Sequence, residues 1–410
     1  MKWVVHQRQA CRICGSAHVR RFLHFRDMPF TDGFVSERNV GTELLAPLDI
    51  YWCPDCKVVQ TQHDVEVGDY YREYRYTVST SPFAQRYMQL LAENVFRQFS
   101  LQPGDNVIEI GSGDGYQLAR FQKMGARVLG YEPSADLANA STAAGVPVVQ
   151  CLFSAATTRD IPAEMQPAQV VLLTYTLDHL PEPLAFLQTV HQVLDGKRGL
   201  LIIEVHDLAK IMLRRETCLF EHEHSIYMTA RTMESLLQRA GFRMLSTELV
   251  PEAQRRGNSL LIAAVRSDES SNAHPIADGQ ALAKLDEWRI YSDFSAAVDA
   301  NHARLRAHVR RNVKAGKRIA GYGAGGRGVM TLAMTDLNQA DIAYVCDRNS
   351  SFHGLLTPRS HVPVVGPDHL LVDPVGEVIV FSFGYMDEIR QQLHEFEARG
   401  GRIVSLLDVA

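Results

Sequence analysis

The sequence predicts an α/β protein in which two α/β units follow a small N-terminal module held by a metal ion. Three observations predict this class. Two Cys-x-x-Cys pairs stand near the N-terminus, and apolar runs alternate with helical segments over residues 104–265 and again from residue 317 onward. Such alternation is typical of parallel sheets with helices on both faces. A chain of 410 residues is too long for one core, so two or three domains are expected.

Composition and charge narrow the class of partner. The formal net charge of -5 gives no basic footprint, which argues against nucleic acid as a partner. No apolar run is long enough to span a membrane, and the N-terminus has no apolar core typical of a signal peptide. Seven cysteines, four of them in Cys-x-x-Cys pairs, fit a reducing cytoplasm better than a disulfide framework. We therefore expect a cytoplasmic protein that binds neither nucleic acid nor a membrane, and the oligomeric state stays open.

The N-terminal module, residues 1–68, is predicted from Cys11, Cys14, Cys53 and Cys56. Two such pairs form the four-thiolate cage that a structural zinc ion prefers. The segment is turn-rich and too small to fold on burial alone, so the metal would supply the missing stability. Two incidental pairs or a redox dithiol are less favoured, because no thioredoxin-like βαβ unit surrounds either pair. A closed four-cysteine site has no open position and should be structural.

The middle domain, residues 69–265, opens with a tyrosine-rich segment and an amphipathic helix from about Ser81. Apolar strands are then predicted in the segments GDNVIEIG, ARVLGYEPS, AQVVLLTYTLDHL, GLLIIEVH and SLLIAAVR, with helices between them. This order predicts a parallel sheet covered on both faces.

A glycine-rich loop follows the first of these strands. It contains Gly111, Ser112, Gly113 and Gly115, and it differs from the GxGxxG spacing of nicotinamide enzymes. Glu132 closes the next strand, where a carboxylate can hold both hydroxyls of a ribose. Glu109, on the strand before the loop, would orient the loop or meet a cationic group of the ligand.

Together these residues resemble the S-adenosylmethionine site of class I methyltransferases. An NAD site or an empty loop is less favoured. The segment TYTLDHL places Asp178 and His179 where that fold makes its next contacts to cofactor and substrate. The alternative interpretation of these two residues is a helix N-cap beside a surface histidine, and the two interpretations stand about even.

A histidine–glutamate run, Glu221-His222-Glu223-His224, follows the fourth strand. An acid–base interpretation is favoured, because histidine titrates near neutral pH and a neighbouring carboxylate can fix its tautomer. If the run is extended, the two histidines share one face. A solvated polar loop is the alternative, and a metal site lacks a clear third ligand.

Six segments, spread along nearly the whole chain, can be compared with a known family. They are DMPFTDGFV and PLDIYWCPDCKVVQ around the cysteines, the tyrosine–serine segment from Tyr74 to Ser79, the run Glu221–His224, the segment Gly257-Asn258-Ser259, and the GYGA segment at residues 321–324. In these segments the chain resembles the nucleotide-sugar C-methyltransferase family. It departs from the family at Glu221, where the family has tyrosine, and at Val78-Ser79, where the family has paired serines.

The resemblance implies S-adenosylmethionine-dependent methylation of a carbon next to the keto group of a nucleotide-linked keto-deoxysugar, in deoxysugar and antibiotic biosynthesis. It implies that His224 is the base, with Glu223 beside it and Tyr76 hydrogen-bonding the enolate. His222 and Glu221 complete the implied catalytic set. A carboxylate at Glu221 would be an alternative base, favouring different regiochemistry or O-methylation.

The C-terminal domain, residues 278–410, begins with a helix predicted from about Asp278 to Lys314, after a polar linker at residues 266–276. Its loop Gly321-x-Gly323-x-x-Gly326, followed by Asp347, is typical of a dinucleotide site, although the same pattern also serves helix–sheet packing. The resemblance instead places this Rossmann-like domain over the active site as a substrate-binding domain, with Arg327 near a phosphate.

Three other functions stay open on sequence alone. They are O-methylation of another small natural-product intermediate, an NAD-dependent oxidoreductase built on the second glycine loop, and a zinc-ribbon nucleic-acid module tethered to a methyltransferase. The acidic balance and the lack of a basic–aromatic stripe disfavour the last.

Overall fold

The structure is a computed structural model that describes residues 4–66, 68–72, 79, 81–255, 257–267 and 284–409. Three sheets of three or more strands organise these residues. Among the residues described, no helix combines the length and the apolar character needed to cross a membrane.

The N-terminal module is built on an antiparallel sheet. Its strands are Arg20–Pro29, Leu45–Trp52 and Val59–Thr61, and its fourth strand, Ile226–Tyr227, comes from the middle of the chain. A separate pair, Val5–Gln7 with His63–Val65, closes the module. Because one strand of this sheet immediately follows the histidine–glutamate run, the module and the middle domain are one packed unit. The short helix Gly68–Arg72 leads out of the module.

The middle domain contains a seven-stranded sheet with the spatial order Phe242–Ser246, Leu260–Arg266, Leu200–Val205, Val170–Thr174, Asn106–Ile110, Arg127–Tyr131 and Val148–Val149. The last five of these strands are parallel. The sequence-based expectation of a fully parallel sheet was wrong at one edge, because Leu260–Arg266 runs antiparallel to both of its neighbours. Among the described residues, the connection from Phe242–Ser246 to Leu260–Arg266 carries the short 3-10 helix Glu252–Gln254 and no α-helix, so it is not the helical crossover that joins parallel strands.

Six helices of the described residues cover this sheet: Pro82–Gln98, Tyr116–Lys123, Ala135–Ala143, Pro183–Val193, Leu208–Arg214 and Ala230–Arg239. The helix predicted from about Ser81 begins at Pro82, with the Ser81 hydroxyl accepting a hydrogen bond from Ala84 N. The central strands are fully buried, which explains why they are continuous apolar runs.

The C-terminal domain contains a five-stranded parallel sheet in the order Val364–Val365, Val345–Cys346, Ile319–Tyr322, Glu377–Val380 and Arg402–Ser405. Its helices are Trp288–Lys314, Gly326–Thr335, His369–Val372, Met386–Gln392, His394–Ala398 and Leu406–Val409. The predicted first helix begins at Trp288, and its predicted start at Asp278 lies outside the described residues.

The long helix Trp288–Lys314 packs on the N-terminal module. The ring of Tyr291 stacks on Trp52 with centroids 5.4 Å apart, and it lies 5.0 Å from the ring of Phe22. The guanidinium of Arg20 lies 3.8 Å above the ring of Trp288. The module is therefore clamped between the middle and C-terminal domains, and its loops reach the junction of all three.

Candidate active site and metal centre

The four N-terminal cysteines converge as predicted. Cys11 Sγ lies 3.5 Å from Cys56 Sγ, and Cys14 Sγ lies 3.6 Å from Cys53 Sγ. All four sulfurs lie within 4.8 Å of one another. These separations are too long for disulfides, and they match the spacing of roughly 3.8 Å between sulfurs that bind one tetrahedral zinc ion.

Two matching turns hold the sulfurs in place. Gly15 N donates to Cys11 O at 2.9 Å, and Lys57 N donates to Cys53 O at 2.8 Å. Both cysteine pairs therefore lie on the same type of turn. The hydrogen bond from Cys56 lowers the pKa of the Cys11 thiol to about 5, while the pKa of the Cys56 thiol rises. Crowded thiolates of this kind are stabilised by a bound divalent cation. The residues present therefore fit a closed, structural zinc site.

The first glycine loop leaves room for a ligand at one residue and packs tightly at two others. A Cβ at Gly111 would lie 2.6 Å from Thr176 Oγ1, and a Cβ at Gly115 would lie 2.3 Å from Ser141 Oγ. A Cβ at Gly113 would meet nothing within 4 Å. All three glycines have positive φ, so the turn itself requires them. The loop therefore presents its backbone to open space at Gly113.

Glu132 braces this loop. Its Oε2 accepts a hydrogen bond from Gly113 N at 2.9 Å, and its Oε1 accepts one from Ser134 N at 2.9 Å. Burial raises the pKa of Glu132. Each carboxylate oxygen keeps a second lone pair, which suits the donated hydroxyls of a ribose.

Glu109 and Ser112 lie on the inner side of the loop. Glu109 Oε1 accepts hydrogen bonds from Gln117 Nε2 at 2.8 Å and from Thr174 Oγ1 at 3.0 Å, so it ties two strands and the following helix together. Ser112 packs so closely that a Cβ at Gly130 would lie 2.3 Å from its Oγ. These contacts fit the predicted orienting role of Glu109.

We expect Glu132→Ala to weaken binding of S-adenosylhomocysteine by about 10- to 100-fold, because hydrogen bonds to a charged group contribute about 1.5–3 kcal/mol. Isothermal titration calorimetry measures the change. Glu164→Ala, at an exposed glutamate in the same domain, is the matched control and should bind like the wild type. Equal affinity in Glu132→Ala and the control would contradict the role of Glu132.

The histidine–glutamate run forms a turn. His224 N donates to Glu221 O at 3.2 Å, so the two histidines do not share one face as an extended run would require. His222 Nε2 lies 3.3 Å from Met28 O of the N-terminal module, and burial lowers the pKa of His222 to about 4. The turn is also tied to the loop before it, because Ser225 N donates to Asp178 O at 2.6 Å.

His224 faces the other way, into a cluster of titratable side chains. Donor atoms of Asp178, His179 and His224 all lie within 4.8 Å of one another. The ring of His224 lies 4.8 Å from that of His179 and 4.7 Å from that of His206. The glycine loop and this cluster both follow the carboxyl ends of parallel strands, where α/β sheets bind ligands.

His206 was not predicted from the sequence. It directly follows the strand Leu200–Val205, and its Nδ1 lies 3.1 Å from Asp178 Oδ2. Its place at the carboxyl end of a parallel strand was the signal available. Against the effect of burial, this hydrogen bond and the nearby histidines hold the pKa of Asp178 below its usual range. Burial lowers the pKa of His179 to about 3 and that of His206 to about 4, so both rings are neutral.

The tautomer of His224 follows from its partners. Its Nδ1 lies 3.0 Å from Leu219 O, which can only accept, and 3.1 Å from Glu221 Oε1. The hydrogen therefore sits on Nδ1, and Nε2 keeps the lone pair of a base. The carboxylate at the His224 ring is thus Glu221, whereas the sequence interpretation placed Glu223 there.

Glu223 instead belongs to a network with the N-terminal module. Its Oε1 accepts from Thr31 Oγ1 at 3.1 Å and contacts the Tyr70 hydroxyl at 2.6 Å. Its Oε2 lies 3.6 Å from His179 Nδ1, and the Tyr71 hydroxyl lies 3.1 Å from the same nitrogen.

Glu221 also meets the C-terminal domain. A Cβ at Gly326 would lie 2.9 Å from Glu221 Oε2, so the carboxyl group lies against the first residue of the helix Gly326–Thr335. Burial raises the pKa of Glu221 to about 8, although the positive charge of Arg327 opposes this shift. Glu221 therefore stands where the three domains meet.

The raised pKa values of Glu221 and Glu223 predict that the folded protein loses stability at high pH. Burial, with Asp32 nearby, raises the pKa of both to about 8, from roughly 4.3 in an unfolded chain. The stability from a raised carboxyl pKa is fully present below the unfolded value and is lost as pH rises through the folded value. We expect the melting temperature to fall between about pH 4 and pH 8, and Glu223→Gln to reduce that slope.

Differential scanning calorimetry across this pH range checks the slope. Glu395→Gln, at an exposed glutamate of the C-terminal domain, is the control and should keep the wild-type slope. An unchanged slope in Glu223→Gln would contradict the assignment.

The predicted Tyr76 lies outside the described residues. Near it in the chain, the Ser79 hydroxyl donates to the Asp114 carboxylate of the glycine loop. The tyrosine–serine segment therefore ends beside the predicted cofactor site.

The second glycine loop is tightly packed at two of its glycines. A Cβ at Gly321 would lie 2.4 Å from Phe381 Cε2, and a Cβ at Gly323 would lie 2.2 Å from Ser382 Oγ. Asp347 Oδ2 accepts from Ala324 N at 2.7 Å, and its Oδ1 accepts from Asn349 N at 2.8 Å. These contacts support the fold-packing interpretation of this loop.

Three family models match the chain in order. Residues 11–71 match the family described as "Putative zinc binding domain", residues 83–247 match "Methyltransferase domain", and residues 254–407 match "C-methyltransferase C-terminal domain". The curated C-methyltransferase NovU of Streptomyces niveus is 27% identical over 416 residues, which cover 98% of this chain and 96% of that protein.

Two solved methyltransferase structures each resemble just under half of the chain. The 1,6-didemethyltoxoflavin-N1-methyltransferase of Burkholderia thailandensis has a TM-score of 0.35 and 18% identity, and the match covers 45% of this chain and 80% of that one. The magnesium protoporphyrin IX methyltransferase of Synechocystis PCC 6803 has a TM-score of 0.35 and 16% identity, covering 49% and 95%.

Three observations indicate a methyltransferase domain. They are the strand order of the central sheet, the glycine loop braced by Glu132, and the family models that match the chain in order. The chain is therefore an S-adenosylmethionine-dependent methyltransferase with an N-terminal zinc-binding module, and it is similar over nearly its whole length to a C-methyltransferase.

Proposed function

We propose that this enzyme methylates a carbon atom next to the keto group of a nucleotide-linked keto-deoxysugar, through an enolate that a histidine generates. A carbon beside a carbonyl is not nucleophilic until it loses a proton, so this reaction needs a positioned base. S-adenosylmethionine supplies the methyl group when it is bound. The name of the full-length relative NovU, a C-methyltransferase, supports carbon as the acceptor.

The observation that carries the proposal is the environment of His224. The residue is only 3% exposed, its Nδ1 is held by Leu219 O, and its Nε2 is therefore the basic nitrogen. Two neutral histidines and the ionised Asp178 surround it, which stabilises the imidazolium formed when His224 takes the proton. His224 is thus the proposed base, and Asp178 is its electrostatic support.

The other predicted residues take supporting roles in this proposal. Gly111, Ser112, Gly113, Gly115, Glu109 and Glu132 form the cofactor site. His179 lies beside the base and is the proposed contact to the substrate oxygen, together with Tyr76. Glu221 holds the ring of His224, and we assign His222 no step because it contacts the N-terminal module.

The nucleotide part of the substrate would bind between the middle and C-terminal domains. A cavity of about 250 Å³ lies there, lined in part by Arg214, Arg215, Thr217, His302 and Phe383. Arg327 lies nearby, with its guanidinium 5.5 Å from the ring of Phe383. Guanidinium groups match phosphate oxygens in charge and geometry, which supports a diphosphate-linked substrate.

The proposal is tested with a panel of nucleoside diphosphate sugars, with and without a 4-keto group, incubated with S-adenosylmethionine and analysed by mass spectrometry. A mass gain of one methylene group on the keto sugars alone is expected. Methylation of the sugars that lack a keto group would favour the O-methylation alternative.

We also propose that the enzyme is cytoplasmic and acts on small molecules. The unpaired cysteines of the N-terminal module and the net negative charge of the sequence support this proposal.

A further inference from the structure

Asp178 has one carboxylate oxygen that the fold buries without a hydrogen bond. Its Oδ2 lies 3.1 Å from His206 Nδ1, whereas its Oδ1 has no hydrogen-bond partner among the described residues. The side chain is only 2% exposed, and Oδ1 lies 4.0 Å from His179 Nε2. A buried charged oxygen without a partner is destabilising, so it indicates a position where the protein binds another group.

Three side chains with metal-binding atoms meet at this position. One donor atom each of Asp178, His179 and His224 lies within 4.8 Å of the other two. The run Glu221–His224 has no clear third metal ligand in the sequence, and the fold supplies one from the loop that follows the strand Val170–Thr174. Two imidazoles and one carboxylate, with a fourth position left open, form a common ligand set for zinc.

Each of these side chains is also oriented by an outer partner. Nδ1 of His224 lies 3.0 Å from Leu219 O, which leaves Nε2 as the available nitrogen of that ring. Nδ1 of His179 lies 3.1 Å from the Tyr71 hydroxyl, which likewise leaves Nε2. The carboxylate is held through its other oxygen. Histidines and carboxylates that bind a metal typically have such outer partners, which fix the side chain and its tautomer.

We propose that Asp178, His179 and His224 form a second metal site, which takes a divalent transition-metal ion such as zinc or cobalt. Two imidazole nitrogens favour such an ion over magnesium or calcium, which prefer oxygen ligands. Ligands of one zinc ion lie about 3.3 Å apart, so the side chains close by about 1 Å when the ion binds. The His179 side chain gives an entry path, because it is 19% exposed, against 4% for His224.

A bound ion blocks methyl transfer, and this consequence rests on the proposed function. The ion takes the lone pair of His224 Nε2, which can then no longer accept the substrate proton. It also takes Nε2 of His179, the proposed contact to the substrate oxygen. Binding releases no proton, because both rings keep their hydrogen on Nδ1 and the carboxylate is already ionised. The ion therefore competes with the keto sugar.

Metal binding is measured without substrate, on enzyme whose four-cysteine cage holds zinc. Isothermal titration calorimetry with cobalt(II) should show one further ion per chain in the wild type. The absorption spectrum should lack the thiolate-to-cobalt charge-transfer band that cobalt in the cage would give. We expect Asp178→Asn and His179→Gln each to weaken this binding by more than about 100-fold, and His206→Gln by about 10- to 100-fold.

Matched controls are Asp160→Asn and His18→Gln, at positions whose side chains are 47% and 80% exposed. Both should bind cobalt like the wild type. Circular dichroism and the zinc retained in the cage check the fold of every variant. A wild type that binds no further cobalt, or variants of Asp178 and His179 that bind it like the controls, would overturn the second site.

Turnover of a nucleoside diphosphate 4-keto-deoxysugar tests the consequence. Added zinc should inhibit the wild type, and a higher concentration of the sugar should relieve the inhibition. His206→Gln should need about 10- to 100-fold more zinc. Binding of the ion without inhibition would support the metal site and contradict His224 as the base. A wild type that methylates no keto sugar would overturn the proposed function, whereas the cobalt titration tests the metal site independently.

Discussion

Replacing His224 by alanine is expected to lower methyl transfer by about 100- to 10,000-fold, the usual contribution of a general base. The reason is local: the ring is buried, its Nδ1 is held by Leu219 O, and its Nε2 is the basic atom at the sheet edge where the cofactor loop lies. Affinity for S-adenosylhomocysteine should stay within about threefold of the wild type, because the loop and Glu132 lie on other strands.

Steady-state kinetics and calorimetric titration measure the two quantities on the same protein. His18→Ala, whose side chain is 80% exposed, is the control for loss of a histidine. His224→Gln keeps a polar side chain at the site and should be as inactive as His224→Ala, which separates chemistry from packing. Wild-type turnover in either variant would remove His224 from the mechanism.

Removing one thiolate of the zinc cage is expected to have the second large effect. Cys53→Ala should lose the bound zinc, unfold the N-terminal module and abolish activity. In small metal-stapled modules the metal-binding free energy, about 10 kcal/mol or more, is folding free energy. Cys53 is fully buried, and the same module carries Thr31, whose hydroxyl donates to Glu223 Oε1.

Zinc content by mass spectrometry, circular dichroism and turnover together check this result. Cys151→Ala is the control, because Cys151 is half-buried in the middle domain and lies outside the cage. It should retain zinc and activity. A Cys53→Ala protein, or a chelated wild type, that keeps its fold and turnover would show that the metal is dispensable.

Features set by local spacing were predictable from the sequence. The pattern of the four cysteines predicts a metal site, and the four sulfurs lie together in the structure. The pattern of the glycine loop and Glu132 predicts a cofactor site, and Glu132 accepts a hydrogen bond from Gly113 of that loop. The start of the helix at Pro82 followed in the same way from the capping residue Ser81. The strand Leu260–Arg266 was predicted, but its antiparallel direction was not, because an apolar run does not encode direction.

The rest of the site depends on contacts between distant parts of the chain. His206, Tyr70 and Asp32 come from three separate segments, and nothing in their local sequence marks them as neighbours of Glu223 or Asp178. For a related reason, the sequence placed Glu223 at the His224 ring, where the structure has Glu221. The run is a turn, and a turn sends alternate side chains to different domains, which spacing alone does not reveal.

The position of the transferred methyl group tests the central claim most directly. The enzyme is incubated with a nucleoside diphosphate 4-keto-deoxysugar and S-adenosylmethionine carrying a ¹³C-labelled methyl group, and the product is analysed by NMR. Base-generated enolate chemistry at His224 predicts that the labelled carbon is bonded to the ring carbon next to the keto group. A labelled methyl group bonded to oxygen would contradict it.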